Sequence, residues 1–579
     1  MSVGAVHAIQ PPLSRAGSRT RRAGLSTGWT CFAACLAVYL GAAAFASFVD
    51  PGLLGSDGVS RVAIANRILF SEDPHLGAIG FVWSPIPVLA LLPMVALKGV
   101  FPAFVSSAFA GTILSAVFMA GSVAQMAGLL AEIGVRPWPR WLLTATFALH
   151  PLILLYAMNA MSESGLIFFL MLVTRSVNRW LRSGETGALV ATGFYLALAY
   201  LTRYETAAAA LAVAALVALA SFASQPGPPR ERLRGAAVHV LIAIVPFAVA
   251  FWGWALASWL LTGQLFDQFS SSYGNSQQIS ALGLGGQLGP AQLLANARLS
   301  AVWMLSLEPV LPLALVAGLV VIVRRRDWRA LGAPVVLGAV VTFMTYATID
   351  EKIAPAQIRY FIVVIPLVVV AVGTALGRGG GMTSAEGSRR AEGSRAREVP
   401  RRRRRGGPRL GWVATAAAVL AMTGSVASGL LTVASPADNG GTAYAVRAIV
   451  DARAITPSER AAEFQFGPDR AVSRYVDSLH LPPGSILVDD FIGFIVVMSS
   501  DDPAQYIIPS DREFQQALAS PAVWGVRYVL IPQPVGLGKL DAVNRAYPGA
   551  YADGAGIGRL VKTFSGGYHW RLYRVPASG

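Results

Sequence analysis

Four polar stretches punctuate the long apolar runs of this 579-residue chain. They are Asp50 with Asp57, Glu163 within 161–164, Arg203 and Glu205 within 202–205, and Asp350 with the pair Arg359 and Tyr360. Carboxylates can take or deliver protons in general acid–base chemistry, and the fork of donors on arginine matches phosphate and carboxylate oxygens. Ionisable residues at membrane-helix ends that face a bundle interior are costly and often functional. Taken singly, each is more often an ordinary interfacial residue, because any loop at a membrane surface must carry something polar. Their order adds weight. Asp57 precedes 60–70, where Ile64, Ile68 and Leu69 form one apolar face beside Arg61 and Asn66, the pattern of an amphipathic helix lying on a membrane surface. Trp83, Pro85 and Pro87 follow, and then Glu163 opens a later helix.

Composition dictates what must position these groups. Hydrophobic residues make up 54% of the chain and charged residues 13%, with a mean hydropathy of +0.54. A soluble chain carries about 25% charged residues, so this one cannot cover a water-soluble surface of its length. Runs at 29–49, 236–260, 330–348 and 411–433 reach the roughly 20 apolar residues that a bilayer crossing takes. Those at 310–323 and 361–376 need flanking residues. The net charge of +16 does not imply nucleic acid, because the arginines gather in short loops between apolar runs, where the positive-inside rule puts them.

Placing those loops on the cytoplasmic side threads the whole chain. The reading is an all-α polytopic membrane protein of about 11 transmembrane helices, with a small C-terminal extracytoplasmic α/β domain, in the cytoplasmic membrane. The N-terminal tail 1–28 is cytoplasmic, the transmembrane domain covers 29–434, and residues 435–579 form the outer domain. Before residue 434, 27 arginines then fall in inner segments against 7 lysines or arginines in outer ones; an inverted topology would reverse that ratio. The outer loop 50–102 contains an apolar stretch at 86–101 that reads as a surface-lying or re-entrant helix, because Pro85, Pro87 and Pro93 interrupt it. A polar loop is expected over 262–308, with Asp267 and Glu308 solvated. The cytoplasmic loop 377–410 is Arg-rich and low in complexity, suited to setting topology and touching anionic lipid headgroups. Strands are expected at 485–489, 505–509, 526–531 and 570–574, with helices at 469–479 and 511–518. Cys31 and Cys35 read as small hydrophobes, and His75, His150 and His239 have no metal spacing.

The sequence of an acid in the first outer loop, an amphipathic helix, a Trp-x-Pro segment and a Met-Ser-Glu helix start resembles the GT-C glycosyltransferases. It is most similar to the branch with protein O-mannosyltransferases, lipid A aminoarabinose transferases and their actinobacterial relatives. The stretches around Arg203 and Arg359 look like recurring pieces of that branch, and the resemblance covers about 29–376. It implies a GT-C-like transmembrane domain and a polyprenyl-phosphate-linked sugar donor. The acceptor would be a glycan, lipid or protein. Asp57 would be the catalytic base, assisted by Glu163, and Arg203 and Arg359 would hold the donor phosphate. Asp50, Glu205 and Tyr360 would support the acceptor. Direct displacement by one base implies inversion. The family commonly has two adjacent acids where this chain has Asp57 and Gly58, so a carboxylate pair for a metal is not indicated. No cofactor is required, while a divalent cation stays open. The rival readings are a polyprenyl-linked lipid or sugar flippase and a non-catalytic envelope assembly protein; the chain shows no matching halves of the kind transporters carry.

Overall fold

The computed structural model describes residues 15–284, 286, 288–352, 357–377 and 408–576. Most of the Arg-rich loop, 378–407, and the first part of the N-terminal tail, 1–14, lie outside the described residues. The chain is mainly helical. Helix α1 (Arg15–Phe48) carries the first apolar run, α2 (Ser56–Phe70) and α3 (Pro85–Val95) follow, and α4 (Phe109–Glu132) returns along α1. Next come α5 (Pro137–Leu149), α6 (Pro151–Met158), α7 (Glu163–Ser183), α8 (Thr186–Tyr200), α9 (Ala207–Ser224) and α10 (Pro229–Thr262). The bundle is completed by α11 (Pro290–Leu307), α12 (Leu311–Arg325), α13 (Gly332–Ile349), α14 (Val364–Leu376) and α15 (Pro408–Val433).

Seven of the described helices are long and apolar enough to cross a membrane, or nine spans if each of two bent pairs counts as one. The pairs bend by 57° between α5 and α6 and by 78° between α11 and α12. Pro151 and Pro309 explain both breaks, since the residue before a proline is driven out of the helical region. Helix α3 has 11 residues, reaching only about 16 Å against a hydrocarbon core of about 30 Å; it packs on α2 instead. The expected polar loop 262–308 is only half a loop. Its second half is α11, which buries Ser300, Trp303 and Leu307, spaced three and four apart along one helical face.

Beyond α15 the chain forms a five-stranded sheet of order β2-β1-β3-β5-β4: β1 (Ile486–Leu487), β2 (Tyr506–Ile507), β3 (Tyr528–Ile531), β4 (Arg559–Thr563) and β5 (Arg571–Arg574). Strand β1 runs parallel to β2 and β3, while β5 is antiparallel to β3 and β4. Alternation buries both faces: Leu487, Ile507, Val529 and Tyr573 enter one apolar cluster, and Ile486, Tyr506, Leu530 and Leu572 the other. Four of the strands are the expected ones, shortened; β4 was not anticipated, and its residues are exposed throughout. Two helices flank β1 in sequence and pack on each other, α16 (Gly467–Asp477) and α17 (Asp490–Met498), and α17 also packs on α2. The bundle's own apolar core continues into this region through Phe466, Ile495 and Met498.

Candidate functional site

The starts of α2 and α7 are pressed together, and glycine makes this possible. A Cβ on Gly58 would lie 2.6 Å from the carbonyl carbon and oxygen of Ala160, one on Gly111 2.7 Å from the Ala160 Cβ, and one on Gly55 2.4 Å from Met161. Gly55 N–H donates to the Asn159 carbonyl at 3.0 Å. Ala160 itself sits at φ 66°, a conformation an L-residue holds only where its surroundings impose it. Gly58, directly after Asp57, is thus a packing requirement: a Cβ there would meet backbone. The result brings Asp57 and Glu163, each in the first turn of its helix, to one place.

Two arginines from elsewhere in the chain bridge them. Arg359 places Nη2 2.9 Å from Asp57 Oδ2 and Nε 3.7 Å from Glu163 Oε1. Arg203 pairs with Glu163 at 2.8 Å and with Glu205, and donates to Ser162 Oγ at 3.2 Å. Glu163 is 1% exposed, both arginines are mostly buried, and Asp57 keeps 28% of its side chain open. Burial acts to raise the Asp57 carboxyl, but Arg359, with Arg61 and Arg203, holds it below the ordinary aspartate range.

Five of the expected residues, Asp57, Glu163, Arg203, Glu205 and Arg359, therefore form one network of charge. Tyr360 lies beside it, its ring 5.3 Å from the Arg359 guanidinium. Asp50 does not join: it caps 51–53 and faces Arg460 at 3.8 Å. Asp350 sits with Lys352 at 3.3 Å. Arg61 is the member that sequence reasoning passed over. It is 4% exposed, donates to the Asp57 carbonyl at 3.2 Å and lies 4.9 Å over Trp83. Burial pushes it down to about 10, against the pull of Asp57 and Glu163, so it stays charged at neutral pH. Its position one turn after Asp57 was the available signal.

Glu308 corrects a second expectation: it is fully buried at the α11–α12 bend, where Ser425 of α15 faces its carboxyl. His150 is buried too; its ring accepts from Leu152 N–H and lies 3.3 Å from the Leu307 carbonyl oxygen. Among the described residues no group of three or more His, Cys, Asp or Glu could hold a metal ion.

Asp57 opens onto a cavity of about 1210 Å³. Its floor is the exposed side of α2, its walls come from 75–83 and 261–278, and its roof from the C-terminal domain, including Asp489, Asp490 and Phe491 at the start of α17. The roof is tied down by Arg67–Asp490 at 2.8 Å and by the Tyr273 hydroxyl, which donates to Asp489 at 2.8 Å while its ring stacks on Phe491 at 4.9 Å. Burial pushes Asp489 up to about 6, against the hydrogen bonds from Phe491 N–H and Tyr273. At the opposite end of α7, Arg175 pairs with Glu132 at 2.8 Å and Arg182 with Asp327 at 3.8 Å. No family model matches the sequence, and no curated protein matches it.

Proposed function

We propose that the chain is an inverting glycosyltransferase that moves a sugar from a polyprenyl-phosphate donor to a hydroxyl acceptor on the outer face of the cytoplasmic membrane. The observation that carries this reading is the bridge from Asp57 through Arg359 to Glu163, with Arg203 alongside, where Asp57 opens onto a large cavity. A pair of arginines suits a lipid phosphate, which needs cationic donors as its ester bond breaks. In the proposed step the acceptor hydroxyl gives its proton to Asp57 as its oxygen bonds to the anomeric carbon. The bond from that carbon to the phosphate oxygen breaks, and the departing polyprenyl phosphate keeps the electron pair beside Arg203 and Arg359. One displacement inverts the anomeric centre.

Donor binding also tunes the base. A phosphate that engages Arg359 weakens its grip on Asp57, so burial is less opposed and the carboxylate becomes a better proton acceptor. Glu163 holds both arginines in place. In this reading α7 and α8 also cross the membrane, giving eleven spans, with the arginine loops inside and the C-terminal domain outside.

The test is transfer from a panel of radiolabelled polyprenyl-phosphate sugars by the purified full-length chain and its Asp57→Asn variant. The reading expects transfer by the wild type and a loss of at least about 10²-fold in the variant, the scale of a positioned general base, with donor binding retained. Donor bound but never consumed would replace it with the flippase reading.

A further inference from the structure

The cavity and the arginine network meet at one residue. Asp57 lines the cavity and pairs with Arg359, whereas Arg203, Arg359 and Glu163 do not line it. The cavity has a chemistry of its own. Besides Asp57 its wall carries Asp267, Glu463, Asp469, Asp489 and Asp490, against Arg67, Arg512 and His75. Arg67 is spent on Asp490 at 2.8 Å, Arg512 faces Asp73 at 3.4 Å and Glu463 pairs with Arg460 at 3.3 Å, which leaves Asp267, Asp469 and Asp489 as the wall's excess charge. Asp267 has no ion pair among the described residues. A phosphate would be repelled from such a wall, so the anionic donor belongs on the arginine side of Asp57 and the cavity receives the other substrate.

Between these acids stand aromatic rings, Trp83, Phe464, Phe491, Phe494 and Tyr568. Rings that cover apolar ring faces, alternating with carboxylates that accept from hydroxyl groups, match a polyhydroxylic, uncharged molecule. At about 1210 Å³ the space exceeds the roughly 300–1,000 Å³ that encloses a drug-sized ligand, so it holds several sugar rings. We infer that the cavity is an acceptor site for a neutral oligosaccharide, laid between α2 and the C-terminal domain with its acceptor hydroxyl at Asp57. This deepens the glycosyltransferase reading and rests on it. It also implies an attack geometry: acceptor from the cavity side and donor from the arginine side, in line across the anomeric carbon, with Asp57 beside the attacking hydroxyl.

Binding tests this separately from transfer. Linear neutral oligosaccharides of two to six residues, an acidic oligogalacturonate and a Ser/Thr-rich peptide are titrated calorimetrically into the full-length protein in detergent. The expected result is that a neutral oligomer binds, more tightly as it lengthens. Asp267→Asn, which preserves volume, and Phe494→Ala each weaken binding about tenfold, the loss of one charged hydrogen bond or one ring contact. Thermal unfolding checks that both variants remain folded. Preferential binding of the acidic oligomer or the peptide, or neutral binding that neither variant alters, overturns the inference. Neutral binding without any donor consumption would leave the cavity assignment standing and remove the transferase reading.

Discussion

Asp57 and Arg359 are 302 residues apart in sequence and 2.9 Å apart in space. Both were visible as ionisable groups at the ends of apolar runs; their pairing was not, because nothing in spacing records which helix ends meet. Asp50 shows the converse, since it lies seven residues before Asp57 yet turns to Arg460. Arg61 was hidden by its setting, as a charged residue on an amphipathic helix reads as its wet face, and here that side is covered by Trp83. The pairing has a consequence for pH. The Asp57 carboxyl is lowered in the folded protein, so the stability it contributes is present above the unfolded value of about 3.9 and is lost as pH falls through the folded one. Activity should divide in the same way. The acid limb of kcat/KM, which reports the free enzyme, should lie below that of kcat, which reports the donor complex in which Arg359 is shared with phosphate. Rates measured across pH 3–7 would refute this donor-linked tuning if the two limbs coincide.

At the scale of elements, the helix α2, the short α3 and the α7 start at Glu163 were legible from periodicity, proline and charge. Helix α11 was not, because its Gln, Ser and Asn residues mask a single buried face of Ser300, Trp303 and Leu307. The junction of α2 with α7 was legible only as an oddity, a glycine directly after Asp57. Its reason is contact with Ala160, and that contact predicts a variant. Gly58→Ala puts a methyl group 2.6 Å from backbone that cannot retreat, an overpacking that costs about 1–3 kcal/mol and swings Asp57 away from Glu163. Gly41→Ala is the control: it lies in α1 with nothing within 4 Å of its Cβ, so helix propensity should make it neutral or stabilising by up to about 1 kcal/mol. Thermal unfolding in detergent distinguishes them. Equal midpoints for the two variants would mean that the close approach of α2 to α7 is not what holds the site.

For the whole molecule, the apolar helical bundle and the C-terminal sheet domain were both readable from the sequence, but their union was not. No sequence pattern announces that Arg67 on the amphipathic helix reaches Asp490 at 2.8 Å, with side chains 17% and 6% exposed, while also donating to the Ala78 carbonyl at 2.8 Å. This pair closes the cavity. Breaking one side of a buried ion pair costs about 3–5 kcal/mol, because the remaining charge stays buried without a partner, whereas an apolar replacement of both sides is often neutral. Arg67→Met should therefore loosen the roof without unfolding the bundle. Amide exchange in α17 should rise by about a hundredfold or more, the factor that such a loss implies for local opening, while α4 and α14 keep their protection. Arg67→Met combined with Asp490→Leu should restore most of the protection, since no charge is then stranded. If the single variant exchanges like the wild type, the domain is held by its apolar contacts through Phe466, Ile495 and Met498 and the ion pair is incidental. If the double variant stays as open as the single one, Arg67 acts through the 75–83 wall that it also anchors, and the closure of the cavity depends on that wall more than on the roof.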